Sequence, residues 1–406
     1  MAAVAALLTL SCESAPGVTA VSNGDNEAPH IGEGAVPEFE VDPGWPQIPR
    51  QFRIGPGSAV TGDDRGHVWI LSRSKVVGGL PEMKADANRK PAPPVMEFDQ
   101  TGKYIQGWGG ESGPGYQWPS NEHGMTVDSK GFVWVVGNAD GKSNNPSNLP
   151  NDNQVLKFTR SGEFVMAIGT SGQTGSNKTE VLRGATGLAY SAKTNEMFVS
   201  DGYGNARVIV FDADSGKFTK MWGAYGNKPL DVEDRPAPSA PALLPWDRVS
   251  EVLQQFASPV HDVKISDDGL VYVADRGNRR IQVFTLDGTY VAEQFVGLDS
   301  PHGLQARGIA FSPDQRFMYV GGTPVVYTLN RKTLEVLGAF KFGEPGQPHP
   351  PGHQIGTDSA GNLYVAQADV VGADGKSEGT GAYKYVLKGY SPRTQCCSGA
   401  ALRASR

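Results

Sequence analysis

One pattern of apolar and polar positions recurs along the chain. A small or histidine residue opens it, a short apolar alternation follows, and a polar turn usually carrying Asp and Gly leads into a β-rich run. It appears as Ser58-Ala-Val-Thr-Gly-Asp before Val68-Trp-Ile-Leu, and as His123-Gly-Met-Thr-Val-Asp before Phe132-Val-Trp-Val. It returns as Thr186-Gly-Leu-Ala-Tyr before Met197-Phe-Val-Ser, and as His261-Asp-Val-Lys-Ile before Val271-Tyr-Val-Ala. The last two copies are Arg307-Gly-Ile-Ala-Phe before Phe317-Met-Tyr-Val, and His353-Gln-Ile-Gly-Thr-Asp before Leu363-Tyr-Val-Ala. A third strand with an aromatic end usually follows (155–158, 208–211, 281–284), then a Gly-bearing turn and a fourth strand (164–169, 218–223). Six units of four short strands, with no long amphipathic stretch, predict an all-β chain folded as a six-bladed β-propeller. The sixth unit lacks a fourth strand near the C-terminus, and residues 39–45 carry that character. The N-terminal part is therefore expected to close the ring, which removes exposed strand edges.

The units are unevenly padded. Polar, Pro-rich insertions fall at 75–94, 138–152 and 224–257, and 246–256 reads as a short helix. Two of the three join second to third strands, so they are expected to rim one face as walls of a binding site.

Composition narrows the classes of function. The chain has 406 residues, 38% hydrophobic and 20% charged, with a net charge of −6. That is too apolar for a disordered chain. With no Lys/Arg block, no nucleic-acid partner is expected. No apolar run approaches the roughly 18 residues of a membrane span. The cysteines, Cys12, Cys396 and Cys397, staple nothing in the body of the chain, so a metal site would draw on His and oxygen ligands. Residues 1–35 read as a signal-like segment and flexible leader, 36–391 as the propeller, and 392–406 as an unstructured tail. The apolar stretch at 1–11 points to export, periplasmic or extracellular, with lipid anchoring through Cys12 as a variant of that reading. Oligomeric state is not legible.

The repeat register gives one equivalent position per unit: Ser58, His123, Thr186, His261, Arg307 and His353. Histidine falls in units two, four and six of a chain with seven histidines. Alternate blades lie about 120° apart and first strands line the channel, so three imidazoles would converge on the axis. That suits a zinc ion bound by three His with one position open. The alternative is a polar, water-filled channel. His302 and His349 lie near the same register, whereas His67 and His30 do not fit it. Arg73, Tyr203 and Arg276, at the ends of second strands, would reach the same space. Two arginines there suit a carboxylate-bearing substrate, and a Tyr beside a metal can serve as general base. The bland readings are a salt bridge from Arg276 to Asp201 or Asp275, and Tyr203 as a loop aromatic capping the core.

Residues 197–211 (MFVSDGYGNARVIVF) and 271–284 (VYVADRGNRRIQVF) resemble NHL-repeat propellers. More narrowly, residues 50–370 resemble peptidyl-α-hydroxyglycine α-amidating lyase, a zinc lyase. The resemblance implies zinc on His123, His261 and His353, a catalytic Tyr203 in Ser-Asp-Gly-Tyr, and substrate arginines at Arg73 and Arg276. It implies C–N cleavage of an N-acyl or peptidyl α-hydroxyglycine to an amide and glyoxylate. It also implies a structural calcium on the carbonyls of Val60 and Met125 and on the residue after the last zinc His, where Gln354 replaces Asp. Two further departures are Pro351 in place of a Met and Gly204 in place of a disulfide Cys. No monooxygenase domain accompanies the propeller in these 406 residues. Two other readings stand beside the lyase: a non-catalytic NHL scaffold in the cell envelope, and a calcium-dependent propeller hydrolase of lactonase or strictosidine-synthase type.

Overall fold

The computed structural model describes residues 35–73, 86–139, 152–234, 254–298, 300, 305–341, 352–367 and 381–392. The leader with Cys12, the tail beyond 392, His302, His349, Pro351, most of the three insertions and most of the 246–256 helix lie outside the described residues.

Six four-stranded antiparallel sheets make six blades, each running outward from an innermost first strand. Blade 1 comprises Gly57–Gly62, Val68–Ser72, Val95–Phe98 and Tyr104–Trp108. Blade 2 comprises Glu122–Val127, Val133–Gly137, Gln154–Phe158 and Phe164–Gly169. Blade 3 comprises Ala185–Ser191, Glu196–Asp201, Arg207–Asp212 and Phe218–Trp222. Blade 4 comprises Val260–Ile265, Leu270–Asp275, Arg280–Thr285 and Tyr290–Phe295. Blade 5 comprises Gly308–Phe311, Phe317–Gly321, Val325–Asn330 and Val336–Lys341. Blade 6 takes Gly352–Thr357, Leu363–Gln367 and Ala382–Pro392 from the C-terminal part and Ala35–Asp42 from the N-terminal part. Each innermost strand touches the next around the ring, including the sixth and the first.

The core is divided rather than central. Six buried apolar clusters are formed, one at each blade interface. A middle strand packs against a neighbouring blade on both of its faces, which is why Val133-Trp-Val-Val and Leu363-Tyr-Val-Ala read as unbroken apolar runs. Fourth strands face solvent on one side and alternate instead.

The Asp in the recurring turn acts identically in three blades. One oxygen of Asp63, Asp128 and Asp358 accepts the amides two and four residues on. The other accepts Trp69 Nε1, Trp134 Nε1 and Tyr364 Oη at 2.7–2.9 Å. The turn is thus locked to an aromatic of the following strand, with Gly66, Gly131 and Gly361 taking the positive φ it requires.

The N-terminal strand closes the ring as expected. Ala35 pairs with Pro392 and Asp42 with Lys384, with a bulge at Glu38/Phe39. The strand stops before Trp45, which instead packs between Tyr364 and Phe98 at 4.8 and 6.0 Å, sealing blade 6 against blade 1.

Candidate metal centre and its mouth

The register position that carries His is a β-bulge. In blades 1 to 4, Ser58, His123, Thr186 and His261 are each skipped by the pairing with the second strand. In blade 6 both His353 and Gln354 are skipped. A bulged residue is released from the ladder and its side chain re-aimed, here toward the axis. His123, His261 and His353 are at most 2% exposed. Their ring centroids stand 4.5–4.8 Å apart, and their candidate ligand atoms all lie within 4.8 Å of one another.

Each imidazole is held by the next blade. His123 Nδ1 donates to the Thr186 carbonyl at 2.8 Å, His261 Nδ1 to the Arg307 carbonyl, and His353 Nδ1 to the Ser58 carbonyl. A carbonyl only accepts, so Nδ1 carries the proton and Nε2 presents its lone pair. His123 Nε2 and His261 Nε2 are buried with no hydrogen-bond partner. Burial, followed by neighbouring charges, holds all three pKa values well below the usual imidazole range; Arg73 comes next for His123, and His123 itself for the other two. Three neutral imidazoles with oriented Nε2 atoms are the donor set a zinc ion takes, and the outer-sphere carbonyls match the way such ligands are usually fixed. These residues fit zinc.

The calcium expectation fits poorly. Gln354 Nε2 donates to the Thr186 carbonyl at 2.8 Å, reaching from blade 6 to the opposite blade 3. Its amide is neutral and tied up toward blade 3, where the resemblance implies an anionic Asp oxygen beside the Val60 and Met125 carbonyls.

Tyr203, Arg276 and Arg73 gather at the same mouth. The half-buried Tyr203 ring lies 5.4 Å from that of His123 and 6.1 Å from that of His261. Arg276 Nη1 donates to Tyr203 Oη at 3.2 Å. Arg73 is buried, and its Nε donates to the Glu122 carbonyl at 3.0 Å. Sequence reasoning offered Asp201 or Asp275 as partners for Arg276, and the structure gives them to others. Asp201 pairs with Arg207 and Asp275 with Arg280, all with fully buried side chains. Each pair sits directly opposite in its strand register, Asp201 to Arg207 and Asp275 to Arg280. Asn205 and Asn278 complete both networks at 2.7 Å from the carboxylates. The Tyr203 and Arg276 loops are therefore anchored at both ends by a buried ion pair. Gly202 is imposed by close approach, since a Cβ there would stand 1.9 Å from the Val260 carbonyl oxygen.

Two residues at this site escaped the sequence. Glu122, fully buried beside His123, accepts from Trp118 Nε1 at 2.8 Å, and burial pushes its carboxyl up to about 7. Arg307, equivalent in register to the histidines, puts a third guanidinium near them; the register itself was the available signal. A second cluster of Asp63, His67 and Glu97 is explained structurally. Asp63 holds its turn and pairs with Arg160, and His67 Nδ1 meets Glu97 Oε1 at 2.7 Å.

Residues 260–284 match the family model for the NHL repeat. The mouse NHL repeat-containing protein 3 is 25% identical over 76% of this chain and 72% of its own length. Peptidyl-glycine alpha-amidating monooxygenase B of Xenopus laevis is 26% identical over 61% of this chain, and the match spans a quarter (25%) of that protein. A probable peptidyl-alpha-hydroxyglycine alpha-amidating lyase of Caenorhabditis elegans is 27% identical over 40% of this chain and 36% of its own length. Among solved structures, a streptogramin B lyase aligns over 86% of this chain and 88% of its own at 13% identity, with a TM-score of 0.46. The chain is a six-bladed β-propeller that carries an NHL repeat in its fourth blade, and it has distant relatives among the peptide-amidating enzymes.

Proposed function

We propose that this propeller is a zinc-dependent carbon–nitrogen lyase that cleaves N-acyl or peptidyl α-hydroxyglycine-like compounds to an amide and glyoxylate. The observation that carries the reading is the trio of neutral, Nε2-presenting imidazoles with Tyr203 and Arg276 hydrogen-bonded to each other beside it. His123, His261 and His353 would hold the zinc, which when bound supplies a Lewis acid that acidifies the substrate's α-hydroxyl. Tyr203 Oη is the group placed to take the hydroxyl proton. As that proton leaves, the carbon–oxygen double bond of glyoxylate forms, the C–N bond breaks, and Tyr203 Oη returns the proton to the departing amide nitrogen. Arg73 and Arg276 bind the carboxylate, and Arg276 also orients the Tyr203 phenol. The reading includes export of the chain, which its leader would direct.

A second reading, a non-catalytic binding propeller in the cell envelope, stands beside the lyase, since NHL repeat-containing protein 3, whose name carries no activity, matches more of this chain than the amidating enzymes do. Elemental analysis of wild type and His261→Ala, with glyoxylate release from α-hydroxyhippurate, separates the two. The lyase reading expects about one zinc per chain, lost in the variant. It also expects a Tyr203→Phe variant that keeps its zinc but turns over roughly 100-fold more slowly. Zinc-free wild-type protein, or an unchanged Tyr203→Phe rate, defeats it.

A further inference from the structure

Strand register singles out one more residue at the mouth. Counting on from the pairs Gly57–Ser72, Glu122–Gly137 and Val260–Asp275, the residue that leaves the second strand is Arg73 in blade 1, Asn138 in blade 2 and Arg276 in blade 4. The backbone repeats as well. Arg73 N donates to the Pro56 carbonyl at 2.8 Å and Asn138 N to the Asn121 carbonyl at 3.1 Å, in each case the residue just before the first strand. In blade 3 the same position is Gly202, which has no side chain. Asn138 therefore stands where the two arginines stand, on the blade between Arg73 and Tyr203.

Asn138 is 2% exposed, and its Oδ1 is buried with no hydrogen-bond partner among the described residues. The carboxyls around it are engaged by other donors. Glu122 accepts from Trp118 Nε1, and Asp152 accepts from Ser120 N and Oγ, Asn121 N and Ala139 N. A buried amide oxygen without a donor is costly, so one kept at the mouth suits a ligand that brings the donor. The equivalent positions then divide by charge. Two guanidiniums match a carboxylate, and the neutral carboxamide matches the neutral amide group of the same compound. Oδ1 only accepts, so its complement is an N–H.

Resting on the lyase reading, we propose that Asn138 is a specificity-determining residue whose Oδ1 accepts the N–H of the scissile amide, so that the site selects N-acyl over O-acyl compounds of the same shape. The test is calorimetric binding to the full-length, zinc-loaded protein of two unreactive probes that lack the α-hydroxyl. These are hippurate and its ester counterpart O-benzoylglycolate, in which an oxygen replaces the N–H. Wild type is expected to bind hippurate about 10- to 100-fold more tightly, the range of one buried hydrogen bond left unmade. Asn138→Leu, of similar size, is expected to keep its zinc and bring the two probes within about 3-fold of each other. Asn138→Asp, whose charge repels both probes but which keeps the acceptor, is expected to weaken both and retain the hippurate preference. Equal binding of the two probes by wild type, binding of neither, or a preference that survives in Asn138→Leu or vanishes in Asn138→Asp overturns the proposal. Absence of glyoxylate release from α-hydroxyhippurate with the Asn138-dependent preference intact would instead sink the lyase reading alone.

Discussion

Removal of Arg207 tests whether the Tyr203 loop is held as described. The guanidinium is fully buried and donates through Nε to Asp201 Oδ2 at 3.0 Å, through Nη2 to the Val181 carbonyl at 2.8 Å, and through Nη1 to the Thr179 carbonyl. Arg207→Met keeps most of the volume but leaves the Asp201 carboxylate buried with only neutral donors, Arg183 N and Asn205 Nδ2. Breaking one side of a buried pair costs about 3–5 kcal/mol. Each carbonyl stripped of its donor adds about 1–3 kcal/mol where water cannot replace it. A loss of about 5 kcal/mol is expected, a large share of the roughly 5–15 kcal/mol that holds a typical protein folded. Urea unfolding followed by tryptophan fluorescence measures it, with Lys388→Met as control. Lys388 pairs with Glu40 at 3.2 Å, both side chains being mostly exposed, and its loss should cost below about 1 kcal/mol. Asp201→Asn in the Arg207→Met background should recover part of the loss, because the uncompensated charge is gone. Because Tyr203 lies between Asp201 and Asn205, Arg207→Met should also slow turnover more than it weakens zinc binding. If Arg207→Met unfolds within about 1 kcal/mol of wild type, the account of a buried, load-sharing ion pair is wrong.

Three further outcomes are expected. Asp128→Ala removes the acceptor for Lys130 N, Phe132 N and the buried Trp134 indole, and should cost about 3 kcal/mol in a thermal melt; a change below about 1 kcal/mol would contradict the turn–aromatic lock. The three imidazoles titrate well below 6.5, so they remain neutral as pH falls through that value and zinc need displace no proton from them. Chelator-competition affinity at pH 5.5 should stay within about 10-fold of that at pH 7.5, whereas three ordinary histidines would lose roughly 1,000-fold. Finally, a calcium-selective chelator should leave the melting temperature unmoved, while Gln354→Ala, which loses the link to the Thr186 carbonyl, should lower it by a few degrees; a chelator-induced drop in wild type would restore the calcium site.

The ring was legible because its unit repeats, and the convergence of His123, His261 and His353 because they share one register position. Pattern alone could not reveal that this position is a bulge, which is what frees the side chains for the axis. It also could not assign partners across a hairpin. Asp201 and Asp275 stand close to Arg276 in the sequence readings, but strand pairing sets Arg207 and Arg280 opposite them. Long side chains were the other blind spot. Gln354 reads as a lost calcium ligand until its amide is seen reaching the opposite blade.

The shared sixth blade has a consequence for how the chain matures. Its outer strand, Ala35–Asp42, is made early, and its partner, Ala382–Pro392, is the last described strand to leave the ribosome. Throughout synthesis of the other blades the early strand lacks its partner, presenting unpaired backbone groups of the kind that recruit other chains. Glu38, Glu40 and Asp42, charged residues at alternate positions, act as gatekeepers over that interval. Completion of the ring is then a late, long-range event, and the three histidines come to the axis from blades that only then hold their final places.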